Sequence, residues 1–129
     1  FKIVDYSISG DKKLGNQIYS KLYNFSKSNE DNPEAKKIYL LINSSQNVNA
    51  TAKNSSGKIL GYRINLSTSI TAKDLMTGNE ILSETFSYSS TYKAQDEFFE
   101  TRKLENQTRE NLIETTYQDL LIKLSERLI

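Results

Sequence analysis

Tyr62, Ile64, Leu66, Thr68, Ile70 and Ala72 alternate without a break with Arg63, Asn65, Ser67, Ser69, Thr71 and Lys73. A period of two sustained this long belongs to an extended strand, whose successive side chains turn to opposite faces. One face is apolar or small; the other is wholly polar. Met76-Thr77-Gly78-Asn79 then supplies a reversal, with Gly78 free to take positive φ. Beyond it Leu82, Phe86, Tyr88 and Tyr92 share one parity, interrupted by Glu84 and Ser90, while Ser83, Thr85, Ser87 and Ser89 take the other. Lys58 to Tyr92 is thus a hairpin with a core-facing side and a hydroxyl-rich, cationic side. A chain that contains it must supply a second layer to cover the apolar parity.

The rest of the chain supplies that layer. Phe1 to Ile8 reads as a first strand, and Ser9 or Asp11 can cap the helix that follows. Leu14, Ile18, Leu22 and Phe25 mark that helix's core face, with Tyr19 and Tyr23 on its flank and Gly15 weakening its first turns. Ser26 to Lys37 is a polar connector, and Ile38-Tyr39-Leu40-Leu41-Ile42 is the densest β-forming run. The same strand is expected to continue through Val48, Ala50 and Ala52, turn at Asn54-Ser55-Ser56-Gly57 and return as a hairpin projecting past the core. From Asp96 the pattern turns helical. Leu112, Ile113, Thr116, Tyr117, Leu120, Leu121, Leu124 and Leu128 form one stripe, and the polar stretch before it is either exposed helix or irregular up to about Leu104. The predicted fold is α+β, a two-layer sandwich. Two helices pack on one face of a four-stranded mixed sheet, in the order β-α-β-β-β-α and within a single domain over residues 1–129.

Composition narrows the chemistry. The absence of Cys and His removes thiol nucleophiles, disulfides, Ser-His dyads and ordinary zinc sites, so no catalytic residue, metal or cofactor is expected. A net charge of +1 gives no general attraction to nucleic acid. Glu97, Glu100 and Glu105 lie beside Arg102 and Lys103 as a solvated helix face rather than an acid/base pair. Gly57 and Gly61 around Lys58 lack the spacing of a phosphate loop, and six Asn-X-Ser/Thr triplets are what so Asn- and Ser-rich a chain produces by chance. One charge pattern stands out. From Ala35 to Lys73 there are six basic residues, Lys36, Lys37, Lys53, Lys58, Arg63 and Lys73, and no acid. Such cations can either protect a sheet edge or attract phosphate and carboxylate groups.

Three segments, Gly61-Tyr62-Arg63-Ile64-Asn65-Leu66, Ile70 to Leu82 and Phe86-Ser87-Tyr88-Ser89-Ser90-Thr91-Tyr92, followed by a closing amphipathic helix over Arg109 to Leu128, resemble the LptE family of lipopolysaccharide-assembly lipoproteins. The resemblance covers the whole chain. It implies a non-enzymatic subunit at the periplasmic side of the cell outer membrane, held by an N-terminal lipid anchor. It also implies a β-barrel partner, LptD, whose lumen the domain plugs, and contact with lipopolysaccharide through Arg63 and Lys58, then Lys53 and Lys73. The family's lipidated Cys is absent; the start at Phe1, inside a strand pattern, leads us to expect it upstream, on a longer precursor. The alternative is a free-standing periplasmic module for another anionic ligand; a hydrolase ranks last.

Overall fold

The computed structural model describes residues 1–29 and 31–128. Strand β1 (Lys2–Gly10) leads into helix α1 (Lys12–Ser26) and a single 3-10 turn (Lys27–Asn29), followed by β2 (Lys37–Lys53), β3 (Ile59–Asp74), β4 (Glu80–Lys93) and helix α2 (Phe98–Arg127). The strands lie in sequence order, β1-β2-β3-β4. β1 and β2 are parallel, as a crossover through α1 requires, and the other two pairs are antiparallel hairpins. The α+β fold, its mixed sheet and the order β-α-β-β-β-α are as the sequence predicts.

The even-numbered side chains of the long strands face the helices. Ile38, Leu40, Ile42, Ile64, Leu66, Ile70 and Leu82 join Leu14, Ile18 and Leu22 of α1 and Ile113, Leu120 and Leu124 of α2 in one core. Each is at most 2% exposed, so each contributes roughly 1.5–3 kcal/mol of apolar burial. Midway along β2 and β3 the paired even positions Ser44 and Thr68 interrupt the apolar pattern, their hydroxyls meeting at 3.3 Å, both buried. Beyond this pair, residues 47–58 are exposed, a projecting hairpin as expected. Asn54 closes its tip: its carboxamide oxygen accepts from the amides of Ser56 and Lys58 at 3.0 and 2.9 Å.

Local physics departs from simple periodicity twice. β1 carries a bulge between Ile3 and Asp5, so Ile3 pairs with Ile38 and, after the extra residue, Tyr6 with Leu40 and Ile8 with Ile42. Apolar residues of both parities therefore reach the core side, and Val4 is left 48% exposed. In α1 the face continues through Ser26, not Phe25. Ser26 is buried and its hydroxyl donates to the Tyr23 carbonyl, whereas Phe25 is 46% exposed and stacks on Phe1 at 5.9 Å. α2 begins at Phe98, so the polar stretch before Leu104 is exposed helix rather than irregular chain.

The turn from β1 into α1 depends on Gly10. Its φ is +76°, and a Cβ there would run into the Ser44 carbonyl oxygen, which also accepts from the Asp11 amide at 2.7 Å. Asp11 is the N-cap, its carboxylate accepting from the Leu14 amide at 3.0 Å. Gly15 is a close-approach residue: a Cβ would stand 2.5 Å from Ile8 Cγ2, so its helix penalty accompanies tight docking of α1 on β1. Gly10→Ala combines a disfavoured φ with a backbone clash and is expected to lower stability by about 2 kcal/mol or more, read as a lower urea midpoint with unchanged slope. A change below about 0.5 kcal/mol contradicts this reading of the turn.

Candidate interaction surface

The sheet face turned away from the helices is an uncharged polar surface over most of its area. Odd positions of β2, β3 and β4 place Asn47 beside Asn65, Ser67 beside Ser87, Ser69 beside Thr85 and Thr71 beside Ser83. These side chains hydrogen-bond across the strands at 2.8, 3.1, 2.9 and 3.4 Å. Such pairs are worth a few tenths of a kcal/mol each, so they align the hydroxyls more than they stabilise the sheet. A shallow groove of about 260 Å³ runs over this face between Ser45, Asn47, Asn65, Ser67, Ser87 and Ser89. Each hydroxyl keeps spare hydrogen-bonding capacity toward whatever meets the face.

The structure does not bring all four predicted cations together. Arg63 lies on the outer face opposite Asn49 and Thr91. Lys73 shares that face, but ten residues along a strand separate the two by about 33 Å. Lys53 sits near the hairpin tip, paired with Ile59. Lys58 lines a different feature, a cleft between the tip and the start of α2, and reaches Asp96 at 3.8 Å. The sequence placed these residues on one hairpin, but strand length and parity scatter them. The cleft, of about 500 Å³, is floored by the stacked pair Tyr62 and Tyr92, 5.3 Å apart. Arg102 approaches the ring of Phe98 within 5.9 Å at its rim. Among the described residues no group of acids could hold a metal ion. Among those residues no helix is long and apolar enough to cross a membrane.

On the helix side, a polar set absent from the sequence reading ties the layers together. Tyr92 donates to Glu105 at 3.0 Å, Tyr88 donates to Asp119, and Glu84 lies 3.6 Å from Arg127, so Glu84, one of the two interruptions of β4's apolar pattern, is a bridge to α2. Glu105 also accepts from Arg109 at 2.9 Å; Arg109 donates to Gln46 at 2.6 Å, and Gln46 to Asp11 at 2.8 Å. One chain of hydrogen bonds thus runs from β4 through α2 and β2 to the cap of α1. The four-residue spacing of Glu105 and Arg109 is its sole sequence trace. The bond from Gln46, then the Leu14 amide, holds the Asp11 carboxyl below its ordinary value. Burial works to raise Glu105, but the bonds from Arg109 and Tyr92 outweigh it and leave it lowered. Burial, then the Asp119 carboxylate, pushes Tyr88 up to about 12; burial and then Glu105 raise Tyr92.

This fold is shared with bacterial lipoproteins. Similar solved structures include the rare lipoprotein B of Shewanella oneidensis, at 14% identity over 96% of both chains and a TM-score of 0.64. The minor lipoprotein of Acinetobacter baumannii is similar at 13% identity, over 98% of this chain and 92% of that one, with a TM-score of 0.68. Lipoprotein B of Nitrosomonas europaea follows at 13%, 94%, 80% and 0.66. At such identities the likeness is one of fold. No protein-family model matches the chain, and no curated protein sequence does.

The bridges predict stability limits at both ends of the pH scale. Asp11 and Glu105 have lowered values, so their contribution is present above their ordinary 3.8 and 4.5 and is lost as pH falls below. The raised Tyr88 contributes fully below its ordinary 10.0 and loses that contribution as pH climbs to about 12, because the unfolded chain ionises first. Thermal melts between pH 9 and 12 should fall less steeply for Tyr88→Phe than for the wild type. Identical slopes would refute the coupling.

Proposed function

We propose that this chain is a non-enzymatic subunit of the outer-membrane lipopolysaccharide translocon, seated as a plug in the lumen of the β-barrel LptD and anchored by lipid at its periplasmic side. The observation that carries the reading is the uncharged, hydrogen-bonding outer face of the sheet. Barrel interiors are polar and wet, and aligned hydroxyls and amides can bond such a wall directly or through water without gathering charge of one sign. The lipoprotein fold supports the envelope location. Lipopolysaccharide contact is a secondary part of the reading, with Arg63 and Lys58 as its best residues and Lys53 and Lys73 behind them. Because Arg63 and Lys58 lie on different features, they would engage separate groups of the lipid.

A free-standing periplasmic module for an anionic ligand is the second reading. It is favoured by one observation, the aromatic-floored cleft with Lys58 and Arg102 at its edge.

Purification of the lipidated, full-length form from its native membrane discriminates between them. A β-barrel should copurify, and a preparation without one would sink the plug reading in favour of the module. In the same material Arg63→Glu and Lys58→Glu should each weaken lipopolysaccharide binding several-fold, increasingly so at low salt. Unchanged affinity for both would remove them from the lipid contact.

A further inference from the structure

The two edges of the sheet are built differently. β1 is short, bulged and flanked by the stacked rings of Tyr6, Tyr19 and Tyr23, all devices that discourage pairing with another chain. β4 is bulged only near its start, where Ala72 pairs with Leu82 but Lys73 with Glu80. It runs 14 residues without proline, and its register with β3 is unbroken from Lys93 to Leu82. The Ala94 amide donates to the Leu60 carbonyl at 3.0 Å, in line with that register, so even-numbered residues of β4 spend their backbone groups on β3. The amides and carbonyls of Ser83, Thr85, Ser87, Ser89 and Thr91 therefore point outward. All five side chains are short, hydroxylic and exposed, and none can screen the backbone beside it.

We infer that the β4 edge is a strand-addition site that pairs with an extended loop segment of the barrel partner, an inference that rests on the plug reading. Donors and acceptors alternating along about 30 Å of strand are complementary to one ligand chemistry, an extended polypeptide backbone. A second copy of this chain does not fit. Tyr92, Tyr88 and Glu84 hold α2 directly over β4, so β4–β4 pairing would bring two such helices within about one strand spacing, ~4.8 Å, where packed helices need about 8–10 Å. The wall strands of a closed barrel are paired on both sides, which leaves a loop folded into the lumen as the segment with free backbone. Glu84 and Glu80 are the only acids on β4 and Lys93 its only base, so little charge restricts the segment's side chains.

Amide hydrogen exchange on the purified lipidated chain, alone and in complex with its barrel, tests this residue by residue. In the complex, the amides of Ser83, Thr85, Ser87, Ser89 and Thr91 should slow at least tenfold, while β1 amides on the opposite edge change little. Ser87→Pro deletes one outward donor and should reduce copurified barrel at least fivefold relative to Ser87→Ala, which keeps that donor. If the proline variant fails to fold, exchange in the wild-type complex still decides. A complex whose odd-numbered β4 amides exchange as fast as in the free chain overturns the edge inference and leaves the plug reading standing. No complex at all removes both.

Discussion

Burial of one parity of three long strands under two helices is the interaction on which the rest depends. β2, β3 and β4 are 17, 16 and 14 residues long, and a one-residue slip in β3 or β4 would exchange its apolar set for mostly polar, hydroxyl-rich side chains. The cost would be several side chains at roughly 1.5–3 kcal/mol each, comparable with the whole stability of a small domain. Register is therefore held firmly. Because it is, the opposite parity emerges as an ordered surface rather than a scatter of polar groups. The hydroxyl and amide pairs on the outer face follow from the core, not the reverse.

The helix layer is positioned by a different means. Apolar packing against a flat sheet tolerates sliding along the strands, whereas hydrogen bonds from Tyr88, Tyr92 and Gln46 do not. Glu105 and Arg109, each about a fifth exposed at their side chains, fix α2 lengthwise against β4 and connect it to the N-cap of α1. These charges are shielded enough to matter and hydrogen-bonded enough not to be a burden.

Long, strict alternation and the three- and four-residue spacing of leucines made the element order and the mixed sheet legible from sequence. Asn54 and Gly78 marked both hairpin turns. What could not be read was set by geometry between distant residues. The bulge after Ile3 disguised which parity of β1 faces inward, and Phe25 looked like core where Ser26 is. Tyr92 and Glu105 are 13 residues apart, Gln46 and Arg109 63, and nothing local announces either pair. The four cations looked like a patch because sequence shows nearness along a strand; Arg63 and Lys73 share a face yet sit far apart, while Lys58 lines the cleft beside α2.

The central claim is that the hydroxyl face of the sheet is the docking surface. The chain contains no cysteine, so Ser69→Cys introduces a single thiol in the middle of that face. Docking through the sheet predicts that a membrane-impermeant maleimide modifies this thiol at least tenfold more slowly in the detergent-solubilised native complex than in the isolated domain. Equal rates in the two would show that the face remains open to solvent, and would contradict the claim.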